Sequence, residues 1–414
     1  MRLVLRYLCC AVVSIFFLFT SSSFADQTPI KKIIVFGDSL SDDGNLYHLS
    51  YSYHDILDKI PPIIKNYPTG YVPSRYNTPY YGGRFSNGKT WVEDVANLFD
   101  ILDTNVHRDG LFVDYAYGGA NAENFQSNSR LPTPNIFPPN LTMQVAEYDW
   151  LHPLNTPDNT VLSIIMAGAN DYLGGSQNID KTTTYSVSSI SHAIINLYSH
   201  GVRHFLIAGL PDLGLTYDAY RKGQAFAAEE SSLATMHNQK LMMAIQDIQH
   251  NQKAYPDIHI TFFNWMPFHK AVLSQYQQAG FSYANTQPCH PGANIPISNF
   301  SNEMNNPELQ VAADVLTSAQ NTLPNACDKD ADNPSQHIYM DPVHPTRVVH
   351  CMIALTACHF LQGQYAYVKD SKQIALQCHM PESDDPVVLA LAAAKQCWQY
   401  EKQGWLMADS PIEA

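Results

Sequence analysis

The chain has 414 residues, 45% hydrophobic and 15% charged, a globular composition that excludes a disordered chain. That length suits one large α/β domain with an appendage. The formal net charge of -14 argues against a nucleic-acid partner, which would need a basic face.

Residues 1–25 read as a signal peptide. Arg2 and Arg6 make a basic start, Ala11 to Thr20 is apolar, and Ser23-Phe24-Ala25 offers small residues where a signal peptidase reads. The apolar run is short for a bilayer span, and Cys9 and Cys10 precede it, unlike a lipoprotein attachment site. Cleavage after Ala25 would give an exported protein, secreted or periplasmic. The remaining cysteines are Cys289, Cys327, Cys351, Cys358, Cys378 and Cys397. An even count in an exported chain favours disulfides, and the lack of Cys-x-x-Cys spacing weighs against zinc.

Ile33-Ile34-Val35-Phe36 reads as a buried strand ending at Gly37. Ser39 follows at once. A parallel sheet delivers such a position to the crevice where these sheets hold ligands, so Ser39 is a candidate nucleophile. The alternative is that Asp38 or Ser39 only caps a helix. Residues 46–86 are irregular and rich in Tyr, Pro and Gly, among them Tyr47, Tyr51, Tyr53, Tyr67, Tyr71, Tyr76, Tyr80 and Tyr81. This stretch either lines an apolar substrate groove or packs as a surface loop. Thr90 to Phe99 has helical spacing through Trp91, Val92, Val95 and Leu98.

Leu111 to Tyr117 predicts a second strand, ending in Gly118-Gly119, where Gly119 lets a backbone N–H approach a ligand. A helix over Leu141 to Trp150 follows. A third strand over Val161 to Ala167 then runs into Gly168-Ala169-Asn170-Asp171. Three strands thus end in a serine, a glycine pair and an asparagine, a nucleophile with hydrogen-bond donors for a tetrahedral oxyanion. Helices are predicted over Ser186 to Ser199, Gln224 to Gln249 and Pro267 to Gln278, with strands over Val202 to Ala208 and Ile258 to Phe263. This alternation predicts a parallel sheet with helices on both faces.

Residues 282–337 break the alternation and are framed by Cys289 and Cys327. A bridge between these two would contribute about 4 kcal/mol through loop closure, and such a loop beside the catalytic end would serve as a lid. Asp328, Asp330 and Asp332 have calcium-loop spacing, but Tyr339 stands where the closing Glu belongs, so this reads as an acidic turn. In Asp341-Pro342-Val343-His344-Pro345-Thr346, one short segment carries a base and a carboxylate to orient it. Helices are predicted over Arg347 to Leu361 and Pro386 to Tyr400. Packed antiparallel, they would pair Cys351 with Cys397 and Cys358 with Cys378, one of fifteen possible connectivities.

Together these residues resemble the GDSL or SGNH hydrolase family. Gly37-Asp38-Ser39-Leu40, Gly118-Gly119, Gly168-Ala169-Asn170-Asp171 and Asp341 to Thr346 stand in the family's order. The resemblance implies Ser39 as nucleophile, His344 as base and Asp341 as its partner. It also implies oxyanion donors at Ser39, Gly119 and Asn170, and a flavodoxin-like α/β/α sandwich. Pro79 to Gly88, Leu210-Pro211-Asp212-Leu213-Gly214, His237-Asn238-Gln239 and His344 to His350 look like bacterial glycerophospholipid:cholesterol acyltransferases and their phospholipase A relatives. Met340 departs from the aromatic usual at that position.

The resulting division is a signal peptide (1–25), a hydrolase domain (26–367, with 282–337 as a lid-like insertion) and a C-terminal extension (368–414). The expected activity is a serine lipid esterase with phospholipase A and lysophospholipase activity and acyl transfer to cholesterol, needing no cofactor or metal. A carbohydrate acetyl esterase of the same fold is the alternative. Expected partners are phospholipid and lysophospholipid, a sterol acceptor, a membrane surface touched transiently, and a protease that activates by clipping the Cys289–Cys327 loop.

Overall fold

Strands that alternate apolar side chains to two covered faces leave neither face for water, and the central strands here do so. The computed structural model describes residues 27–49, 80–101, 110–123, 138–153, 156–176, 178–290 and 334–404. After a short strand β1 (Thr28–Ile30), five strands form one wholly parallel sheet: β2 (Lys32–Gly37), β3 (Phe112–Asp114), β4 (Asp158–Met166), β5 (Val202–Ala208) and β6 (His259–Phe263). Their order is β3-β2-β4-β5-β6, the flavodoxin-like arrangement in which the first strand of the sheet lies between the second and third. The α-helices are α1 (Trp91–Leu98), α2 (Leu141–Leu151), α3 (Ile179–Ser199), α4 (Tyr217–Lys222), α5 (Gln224–His250), α6 (Met266–Ser274), α7 (Arg347–Leu361) and α8 (Pro386–Lys402).

The pleat sorts the core into two layers. Ile33 and Val35 of β2 join α1, α6, α7 and α8 on one face. Ile34 and Phe36 join α2, α3 and α5 on the other. The result is the three-layer α/β/α sandwich expected of the sequence. No helix among the described residues is long and apolar enough to cross a membrane.

Several elements differ from their predicted extents. Helix α3 begins at Ile179 rather than Ser186, because Asn178 caps it by accepting from Lys181 N–H. Its threonine run, which reads as poor helix former, is accommodated because Thr183 and Thr184 donate back to the carbonyls of Ile179 and Asp180. Strand β3 covers only the middle of its predicted span. Past it, Asp114 Oδ1 takes Ala116 N–H at 2.7 Å and bends the chain. Helix α6 stops at Ser274, short of Gln278.

A second sheet was not anticipated. Strand β1 pairs in parallel with β7 (Tyr365–Lys369), which pairs antiparallel with β8 (Lys372–Ala375). Residue 367 thus lies inside β7.

The disulfides Cys351–Cys397 and Cys358–Cys378 are present, nested as the helix spacing suggested. They bind α7 to α8 and to the chain after β8. Cys289 is also disulfide-bonded. Its expected partner Cys327, the acidic turn at 328–332, residues 1–25 and most of the tyrosine-rich stretch lie outside the described residues.

Candidate active site

The site is built where β2, β3 and β4 end together. Gly37 closes β2, and Gln144 of α2 reaches across to accept from its N–H and donate to its carbonyl, both at 2.9 Å. The turn that follows is fixed by two carboxylates. Asp38 Oδ1 accepts from Leu40 N–H, and its carbonyl accepts from Ser41 and Asp42. Asp38 thus braces the turn, while Ser39 beside it lines the cleft. Asp42 accepts from the N–H groups of Gly44, Asn45, Leu46 and, at 2.7 Å, Gly118. The last bond ties the serine turn to the glycine turn. Burial pushes Asp38 up to about 7 and Asp42 up to about 6, the latter in spite of these backbone donors.

Ser39 Oγ lies 2.6 Å from His344 Nε2, across 305 residues of chain. His344 Nδ1 lies 2.7 Å from Asp341 Oδ2. The other oxygen, Oδ1, accepts from His344 N–H at 2.8 Å and Val343 N–H at 3.0 Å. These backbone bonds orient the carboxylate, so Nδ1 carries the proton and Nε2 faces the hydroxyl as an acceptor. The relay is buried: exposures are 8% for Ser39, 6% for His344 and 0% for Asp341. A hydroxyl, an imidazole and a carboxylate so aligned can pass a proton from oxygen to nitrogen and stabilise the imidazolium that results.

The donors converge on the same cleft. Gly119 takes φ 75°, beyond comfortable reach of a residue with a Cβ. Its N–H and that of Ser39 serve no other described acceptor, while the neighbouring N–H groups of Gly118 and Ala120 are engaged. Asn170 sits on a single 3-10 turn entered through Gly168 at φ 115°. Its Nδ2 donates one hydrogen to Ala120 O at 2.9 Å, which fixes the amide beside the glycine turn. Asp171 accepts from Ala122 and Glu123 N–H, locking the asparagine turn to the same loop. Ser39, Gly119, Asn170 and His344 line one cleft, whose remaining wall is largely apolar, with Leu173, Leu213, Trp265, Ile338 and Val349 among its residues.

Three residues that shape the site are given no role by the sequence motifs. Asp42 stands just past the Gly37–Leu40 block and Asp171 closes the asparagine block, and both bind backbone amides of a remote loop. Tyr80, a groove tyrosine that also lies in the Pro79–Gly88 stretch, donates its hydroxyl to Asp341 Oδ2 at 2.6 Å. The carboxylates of Asp42, Asp43 and Asp114 also lie within 4.8 Å of one another, but oxygens of Asp42 and Asp114 are occupied by backbone N–H groups. Met340, where an aromatic was usual, is fully buried, and its N–H donates to His344 O.

An open parallel sheet carrying such a relay at its carboxyl edge defines an ester hydrolase of the α/β class. The family model for GDSL-like Lipase/Acylhydrolase matches residues 33–355, and the chain belongs to that family. It is similar to the phosphatidylcholine-sterol acyltransferase of Aeromonas hydrophila, 28% identical over 356 residues that cover 83% of this chain and 94% of that one. It is 24% identical over 338 residues to the secreted effector protein SseJ of Salmonella typhimurium, covering 81% of this chain and 65% of that one. A GDSL esterase/lipase of Arabidopsis thaliana is 22% identical over 400 residues, 89% of this chain and 97% of the plant one.

Proposed function

We propose that this protein is an exported serine esterase of lipids, with phospholipase A and lysophospholipase activity, that also transfers acyl groups from glycerophospholipid to cholesterol. The observation that carries the reading is the 2.6 Å contact between Ser39 Oγ and His344 Nε2 in a largely apolar cleft. Ser39 attacks the ester carbonyl as His344 takes the hydroxyl proton and Asp341 steadies the imidazolium. The oxyanion is held by the N–H groups of Ser39 and Gly119 and by the Asn170 amide. Collapse breaks the bond to the glycerol oxygen, which receives the proton from His344 and leaves an acyl-enzyme on Ser39. Water or a sterol hydroxyl then gives its proton to His344 and takes the acyl group, and His344 returns that proton to Ser39 Oγ as the acyl bond breaks.

Leu173, Trp265 and Val349 suit an acyl chain, which burial of apolar area stabilises by about 0.8 kcal/mol per methylene. The sterol acceptor is proposed from the likeness to the Aeromonas acyltransferase. Export is supported by the disulfides, which persist in oxidising compartments. Contact with a membrane surface and activation by clipping of the loop closed at Cys289 belong to the same proposal. The test incubates the protein with phosphatidylcholine vesicles containing cholesterol and counts free fatty acid against cholesteryl ester. Parallel arms use a lysophospholipid, an acetylated sugar and Ser39→Ala. Fatty acid and cholesteryl ester should both form and both vanish in the variant. Turnover of the acetylated sugar alone, or an active Ser39→Ala protein, would overturn the reading.

A further inference from the structure

The segment from Tyr80 to Asn87 lies along the loop that carries Asp341 and His344, and the two meet at four successive places. The Tyr80 hydroxyl donates to Asp341 Oδ2. The Phe85 ring lies 4.9 Å from the His344 ring. Ser86 Oγ donates to Pro345 O at 3.0 Å, and Asn87 Oδ1 accepts from Arg347 N–H at 2.8 Å. The segment is itself anchored, because Arg84 makes a paired ion bridge to Glu93 of α1, at 2.8 and 2.6 Å. Tyr80 is therefore presented to the carboxylate from a fixed support.

We propose that Tyr80 is a positioning residue of the relay, which holds the Asp341 carboxylate in place and limits its pull on the His344 imidazolium. The inference rests on the proposed roles of Ser39, His344 and Asp341. Its basis is the shared atom: Tyr80 Oη and His344 Nδ1 both bind Oδ2 of Asp341, at 2.6 and 2.7 Å. Burial and the neighbouring carboxylate push the Tyr80 phenol well above its ordinary value, so it acts as a donor throughout the working range. A donor on that oxygen disperses its negative charge. The carboxylate then pulls less strongly on the imidazolium that forms as His344 takes the serine proton.

Other charges face His344 and set the same balance. Asp38, from the serine turn, favours the imidazolium when ionised, but burial pushes it up to about 7. His350, from α7, opposes it when charged, but burial pushes His350 down to about 3 and keeps it neutral. Neither group touches Asp341 Oδ2, so removing the Tyr80 hydroxyl changes the relay at one defined atom.

The test compares the parent protein, Tyr80→Phe and Ser39→Ala on a soluble short-chain ester across pH. Tyr80→Phe should lower kcat about tenfold to a hundredfold with KM little changed. It should also move the acid limb of kcat/KM to higher pH and shift the downfield proton resonance of His344 Nδ1–H. Incorporating 3-fluorotyrosine at Tyr80, a stronger donor of nearly the same shape, should move the acid limb the opposite way and keeps the test open if Tyr80→Phe folds poorly. An unmoved acid limb and resonance in either form overturn the proposal, even if kcat falls, because loss of packing alone predicts that. Activity surviving in Ser39→Ala instead removes the relay reading itself, whatever the Tyr80 variants show.

Discussion

Asn170→Ala isolates one proposed oxyanion donor. In the parent protein Asn170 Nδ2 spends one hydrogen on Ala120 O at 2.9 Å, leaving the second to the cleft. The ester carbonyl is neutral when substrate binds and becomes an oxyanion only as Ser39 adds to it. A donor aimed at that oxygen therefore acts mainly on the transition state. Its removal should raise the barrier by about 2.7–4 kcal/mol, or roughly 100- to 1000-fold in kcat, with KM changed little. The bond to Ala120 is lost as well, which should destabilise the fold by only about 1 kcal/mol. Asn170→Asp should be worse on both counts, since a carboxylate would face the Ala120 carbonyl. Steady-state kinetics on a soluble p-nitrophenyl ester, with thermal unfolding of each variant, make the measurement free of interfacial effects. A kcat within about threefold of the parent in a well-folded variant, or a loss confined to KM, would refute the assignment.

Gly118→Ala places a Cβ 2.1 Å from Phe85 Cε2, and that ring packs on His344. It should lower kcat and destabilise the fold by about 1–3 kcal/mol, and Phe85→Ala added to it should recover part of the stability in urea melts. Burial pushes the His237 imidazole down to about 3, against about 6.5 in an unfolded chain. Unfolding therefore takes up a proton between these values, so this stabilisation is full above pH 6.5 and is lost as pH falls. The stability deficit of His237→Gln should shrink by about 2 kcal/mol between pH 7 and pH 5 in denaturant titrations. Cys397→Ser opens a loop of 46 residues, and Cys378→Ser one of 20. Losses of about 4 and about 3 kcal/mol are expected, read as lower unfolding midpoints.

The parts that the sequence disclosed share one trait: their signal is local. Every residue of β5 is buried, so its apolar run stands out without knowledge of its neighbours. Cys351 and Cys358 share a face of α7, which made the nested bridges readable once α8 was seen. The small sheet had no such mark. Strand β1 has three residues, β8 four, and β7 ends in exposed Val368 and Lys369, while the pairing of β1 with β7 joins chain segments more than 300 residues apart. The site divides in the same way. Ser39, Gly119, Asn170, Asp341 and His344 lie in compact blocks at strand ends or in one proline-stiffened turn. The contact between Tyr80 and Asp341 spans 261 residues and leaves no spacing to read.

Pairing of β1 with β7 has a temporal side. Residues 28–30 are made more than 300 residues before their partners 365–367. Ser39 likewise precedes His344 by 305 positions. At about 5–20 residues per second, elongation separates the two by roughly 15–60 s. Over that interval the nascent polypeptide holds Ser39 with no imidazole beside it.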